Sequence, residues 1–272
     1  MKKLLLAMMV CVVSMSNVFA QSAVLDRIKK NQVIRVGVKA DYRPFGYLDP
    51  TGKILGMEPD LAQNIAQRLG VKLELVLVQT ANRIEFLQQG RIDLIIATMG
   101  VNEQRRKIVG IVEPFYYAGG TSLLSKKGAG FKKWADLKAK DICGVQGAYY
   151  NRSVAQKYGA NVVAFPGTTE AENALLTGSC VGFLQDSTLH ASILASGDPK
   201  WANYETTLPV EDFQAWAMAV PLEEANTDYG KLMQKIVTEW HINGYLLEEE
   251  KKWGIKQSDF LKEQQAKFKK SS

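Results

Sequence analysis

Cysteine and histidine are scarce in this chain, at three and two of 272 residues. His190 and His241 stand at no metal-ligand spacing, so neither a zinc site nor any other metal or cofactor is expected. There is no Gly-x-Ser-x-Gly elbow and no phosphate loop ending in Gly-Lys-Ser/Thr, which removes the commonest hydrolase and nucleotide-binding signatures. Charge of one sign is also modest. The formal net charge is +6 for the whole chain, too small and too dispersed for a nucleic-acid footprint. The one basic cluster, in the tail from Lys262 to Lys270, reads as a solvated terminal helix.

Long apolar runs are missing beyond the first twenty residues. Those twenty, MKKLLLAMMVCVVSMSNVFA, place Lys2 and Lys3 before an apolar stretch and end on Val18-Phe19-Ala20. This is the pattern of a secretory signal peptide cleaved after Ala20, and the stretch from Leu4 to Val13 is too short to span a bilayer. Cleavage leaves 252 of the 272 residues and lowers the charge from +6 to +4. The expected location is the periplasm. Two cysteines then remain, Cys143 and Cys180, in an oxidising compartment. Both lie at equivalent places in short apolar strands, so a disulfide closing a loop of about 38 residues is expected, adding roughly 4 kcal/mol in the chain-entropy model.

With 46% hydrophobic and 23% charged residues, the composition is that of an ordinary globular chain. Its pattern alternates strands and helices. Val33 to Val38 reads as a strand. Asp60 to Leu69 reads as a helix with Leu61, Ile65, Ala66 and Leu69 on one face, ended by Gly70. A strand at Val71 to Val78, a helix at Asn82 to Gln89 and a strand at Ile92 to Ala97 follow. After Lys126-Lys127-Gly128 a second series starts, with strands at Ile142, Val162 to Phe165 and Val181 to Leu184 and helices between them. Repeated βαβ units predict an α/β fold of two lobes, each a mostly parallel sheet flanked by helices. Phe213 to Val220 reads as a strand returning to the first lobe. The lobes are then joined by two hinge strands, near Thr121 to Ser125 and Gln214 to Met218, with a cleft between them. The expected boundaries are residues 1–20 for the signal peptide, 21–122 with 216–272 for lobe 1, and 123–215 for lobe 2.

One segment concentrates the chemistry. From Asp93 to Tyr117 the sequence DLIIATMGVNEQRRKIVGIVEPFYY runs from a buried strand into a polar turn. Ligands of open α/β sheets bind beyond the carboxyl ends of strands, and this end carries Thr98 and Gly100. Asn102 reads as a helix N-cap, and Arg105 follows within reach of the strand end, where its guanidinium fork suits a carboxylate.

The motifs VGVKADYRPFGYLDPTGKILGMEPDLAQNIAQRLG, NRIEFLQQGRIDLIIATMGVNEQRRKIVGIVEPFYY, GVQGAYYN, GFLQDSTL and WGI occur in this order. Together they resemble the polar amino-acid-binding proteins of bacterial ABC importers, the type II periplasmic binding fold, over essentially the whole mature chain. The resemblance implies a monomeric binding protein whose partners are a free amino acid and permease subunits. It puts Arg105 on the ligand's α-carboxylate, with Gly100 and Thr98 beside it, and Asp186 on the α-ammonium. Lys39, Arg83 and Thr98 then stand where aspartate- and glutamate-binding members gather cations around a side-chain carboxylate. Such cations repel basic ligands. Tyr42, Phe45, Gln146, Gly147, Ala148, Tyr149 and Thr168 would form the walls. This chain departs from the pattern twice: Ala148-Tyr149 replaces adjacent threonines, and Gly100 stands where serine or threonine is frequent. Glutamine or cystine binding is the alternative specificity, and a cyclohexadienyl-dehydratase-like enzyme the alternative class.

Overall fold

A computed structural model describes residues 21–271. The expected signal peptide lies outside the described residues. In the first lobe a five-stranded sheet runs Lys72–Leu77, Val33–Val38, Leu94–Ile95, Ala219–Val220, Gly110–Ile111. Its second strand, Val33–Val38, is parallel to both neighbours. Ile34, Val36 and Val38 are fully buried, the alternation expected of a strand that packs one face on a helical layer. Above it lies the helix Met57–Leu69, which buries Leu61, Ala62, Ile65 and Ala66 and ends at Gly70 in the left-handed conformation. This helix starts three residues before the predicted Asp60. Its first turn therefore includes Glu58, which is wholly buried.

The second lobe carries a sheet ordered Asn161–Phe165, Asp141–Val145, Gly182–Asp186, Tyr117–Lys126, Tyr204–Glu205, with Glu211–Trp216 also paired to Tyr117–Lys126. The first two pairings are parallel and those made by Tyr117–Lys126 are antiparallel. Both sheets are thus mixed. A small third sheet, Asp41–Tyr42, Gly46–Leu48 and Ile54–Leu55, was not apparent from the sequence.

Two segments join the lobes. Tyr117–Lys126 leaves the first lobe and pairs along Gly182–Asp186 in the second. The returning segment is not the single strand expected from Phe213 to Val220. Its first part, Glu211–Trp216, pairs with Tyr117–Thr121 across a bulge between Glu211 and Gln214, and its second part, Ala219–Val220, enters the first sheet. A strand that changes sheets must bend, and Trp216 sits at the bend. Its indole is fully buried against Phe45 at 5.0 Å, Tyr117 at 5.3 Å and Tyr42 at 6.1 Å.

Cys143 and Cys180 form a disulfide with Cα atoms 5.5 Å apart, within the normal range for an unstrained bridge. Cys143 lies in a strand as expected, whereas Cys180 precedes the strand Gly182–Asp186. Among the described residues no helix is long and apolar enough to cross a membrane, and no cluster of three histidine, cysteine or acidic residues is placed to hold a metal.

Candidate functional site

The two lobes meet over the carboxyl ends of their central strands, and the predicted arginine and aspartate face this junction from opposite sides. Asn102 caps the short helix Glu103–Arg106 by accepting from the Arg105 amide at 2.9 Å. That cap directs Arg105 back over the strand end. Its Nη1 donates to the Gly100 carbonyl at 2.6 Å and its Nη2 to the Gly147 carbonyl of the second lobe at 3.0 Å. Only 8% of Arg105 is exposed, and burial lowers its pKa while the nearby Asp186 charge raises it. Gly147 has φ +76°, and a Cβ there would lie 2.9 Å from the Ala81 Cα. Only glycine lets the second lobe approach the first so closely.

Asp186 ends the strand Gly182–Asp186 and is 4% exposed. It receives the Tyr42 hydroxyl on one oxygen and the Tyr149 hydroxyl on the other, each at 3.2 Å. Burial pushes its carboxyl up to about 6, against those two hydrogen bonds and the charges of Arg83 and Arg105. Asp186 occupies the N-cap position of the following helix, yet its side chain makes no capping bond. Its carboxylate is therefore committed to the lobe junction.

Two further cations, Lys39 and Arg83, are buried nearby. Lys39 is wholly buried, with Nζ 2.9 Å from Asp41 and 3.4 Å from the Thr80 hydroxyl. Desolvation lowers its pKa and Asp41 holds it up. Asp41 also accepts from the Thr168 amide at 2.6 Å, so this ion pair ties the first lobe to the start of the helix Thr168–Leu176 in the second. Arg83 is 2% exposed and donates only to the carbonyls of Ala97 and Thr98. Burial, then the Arg105 charge, lowers its pKa to about 9, so it stays cationic at neutral pH.

Thr98 adopts φ +45°, an uncommon conformation for a β-branched residue that must be held by its surroundings. Its amide donates to the Glu58 carboxylate at 2.6 Å, and the Tyr116 hydroxyl donates to the same oxygen. Arg83 fixes the carbonyl side of the same turn. Burial pushes Glu58 up to about 7, with the Tyr116 and Thr98 bonds and the Arg83 and Lys39 charges opposing. Sequence reasoning missed Glu58, because an acidic residue in a first helical turn is ordinarily a solvated partner of the helix dipole. It missed Asp41 too, although the two-residue spacing from Lys39 puts both side chains on one side of an extended segment.

Of the predicted walls, Tyr42 and Tyr149 reach the junction through Asp186, and Ala148 is half-buried beside them. Thr168 is 1% exposed, with its amide on Asp41 and its hydroxyl unpartnered among the described residues. Phe45 is wholly buried in the aromatic cluster with Tyr117 and Trp216. Gln146 is exposed, and its side chain bonds the Ala164 carbonyl at 3.4 Å, so the structure does not bring it to the others. The Arg83 Nε and the Gln214 Oε1 are likewise buried without partners. Unsatisfied donors and acceptors around a carboxylate and an arginine suit a polar, zwitterionic occupant.

The chain is similar over most of its length to several binding proteins. A glutamine-binding protein of Geobacillus stearothermophilus is 34% identical over 197 residues, covering 70% of this chain and 74% of that protein. A glutamate/aspartate import solute-binding protein of Salmonella typhimurium is 27% identical over 246 residues, covering 86% of this chain and 79% of its own. Among solved structures, a mutant of ArgBP from T. maritima superposes with a TM-score of 0.78 at 28% identity, covering 85% of this chain and 98% of that one. Residues 34–256 match the model of one family throughout. The chain belongs to the bacterial extracellular solute-binding proteins, family 3.

Proposed function

We propose that this protein captures a free acidic amino acid, aspartate or glutamate, between its lobes and presents the closed form to an ABC permease outside the cytoplasm. Arg105 takes the α-carboxylate and Asp186 the α-ammonium. No bond is made or broken, and the ligand shifts the hinge equilibrium because it touches both lobes. The observation that carries the acidic reading is Arg83. It is a buried guanidinium beside Thr98, hydrogen-bonded among the described residues only to carbonyls, and close enough to Lys39 for its charge to lower the Lys39 pKa. Counting Arg105 against Asp186 and Lys39 against Asp41, Arg83 is the charge left over for a ligand carboxylate, provided Glu58 holds its proton.

A neutral amide ligand such as glutamine is the second reading. It is favoured by the Lys39–Asp41 ion pair, which already neutralises one of the two cations, and by the 34% identity to a glutamine-binding protein. Calorimetric titration of ligand-stripped protein with the twenty amino acids and cystine separates the two. Aspartate or glutamate is expected to bind at least about tenfold tighter than glutamine, a difference of about 1.4 kcal/mol, with no measurable arginine binding. Tighter binding of glutamine would overturn the acidic reading. Turnover of arogenate or prephenate would overturn the binding-protein reading altogether.

A further inference from the structure

Gly100 and Tyr149, which lie on facing lobes, meet in space. We propose that they are one feature: Tyr149 is a cross-lobe wall of the ligand chamber that requires a bare position 100, and the pair sets how far the lobes close. A Cβ built on Gly100 would lie 3.2 Å from both Cδ1 and Cε1 of the Tyr149 ring and 3.0 Å from the Gln214 Oε1. The Gly100 backbone itself is not left-handed, so nothing local demands glycine. The Tyr149 ring of the other lobe, with the Gln214 side chain, crowds the position instead.

The hydroxyl end of Tyr149 completes the arrangement. It lies 3.2 Å from Asp186 and 3.4 Å from the carbonyl of Asp212, at the bulge of the returning hinge strand. Asp212 has φ +46° and accepts from Ser153 at 2.7 Å and Lys157 at 2.9 Å. Tyr149, Ser153 and Lys157 recur every four residues on one face of the helix Tyr149–Tyr158, so that face is laid along the hinge bulge. Tyr149 thereby touches lobe 1 with its ring and joins Asp186 to the hinge with its hydroxyl. An ammonium arriving at Asp186 competes with that hydroxyl for the carboxylate oxygen and leaves the hydroxyl to donate to the Asp212 carbonyl, so occupancy and hinge geometry share one side chain.

This inference rests on the ligand sitting between Arg105 and Asp186. Its test is a double-substitution cycle, read by calorimetry with L-glutamate and L-glutamine and by the radius of gyration from small-angle scattering. Gly100→Val in the natural background is expected to weaken binding about ten- to a hundredfold and to keep the lobes apart at saturating ligand. Added to Tyr149→Ala, the same change is expected to cost less than about threefold beyond Tyr149→Ala alone. Equal losses in both backgrounds would overturn the pairing while leaving the proposed function standing. Failure of the natural protein to bind either amino acid would overturn both. Should Gly100→Val not fold, Gly100→Ala gives the same cycle with a first loss of about threefold, because its single carbon needs only a few tenths of an ångström of relief.

Discussion

Arg105→Ala is expected to weaken amino-acid binding by about 2 to 5 kcal/mol, with little change in thermal stability. The guanidinium is nearly enclosed, and its two nitrogens grip carbonyls from different lobes, Gly100 and Gly147. Removing it leaves a ligand carboxylate desolvated with no counter-charge, which is the costly half of breaking a buried pair. It also removes one of the contacts that hold the lobes together. Arg105→Lys separates the two contributions. A single ammonium keeps the charge but cannot reach two oxygens in a planar fork, so an intermediate loss is expected. Calorimetry on both variants, with circular dichroism melts as the control for folding, decides the matter. An unchanged affinity for Arg105→Ala would mean that this side chain only braces the turn.

Arg105 stood out from its local setting, a helical turn after an N-cap at a strand end, whereas Asp186 was reached only through the resemblance of the ordered motifs, its local pattern reading also as a helix N-cap. The βαβ alternation of both lobes was legible, like Arg105, from local pattern. What escaped was set by contacts across long stretches of chain. Tyr42 meets Asp186 over a separation of 144 residues and Asp41 meets Thr168 over 127, and no periodicity reports such pairs. Lys39 read as a free cation, yet its neighbour two residues on already answers its charge. Glu58 went unremarked, since only the packing of its helix over Thr98 buries it. The strand expected from Phe213 to Val220 has continuous β character, and its division between two sheets follows from the hinge, not from any residue within it. Gly100 and Tyr149 were each visible as departures, but their contact depends on how the lobes close.

The pH dependence of binding follows from Asp186. Its carboxyl, buried and pushed up to about 6 from 3.8, holds a proton in the folded ligand-free protein that the unfolded chain has released. Between about pH 4 and 6 the native state therefore binds more protons, so this group's contribution to folding stability declines as pH rises through that window and is level above it. A ligand ammonium reverses the preference, because it stabilises the ionised carboxylate. Binding then expels the proton below pH 6, and affinity is expected to fall about tenfold for each pH unit below 6 and to be flat with respect to this group above it. Glu58, pushed up to about 7, acts in the opposite sense for an acidic ligand. Its ionisation between pH 6 and 8 reduces the positive charge available to a side-chain carboxylate. Asp186→Asn distinguishes the two. The amide meets one of the Tyr42 and Tyr149 hydroxyls with a donor where an acceptor stood, and gives the ammonium no charge. A loss of about 2 to 5 kcal/mol at pH 7 is expected, together with disappearance of the Asp186-linked dependence below pH 6 and retention of any dependence above it. Titrations from pH 4.5 to 8 on both proteins provide the comparison, and an identical slope below pH 6 in the variant would assign the proton to another group and remove Asp186 from the ammonium site.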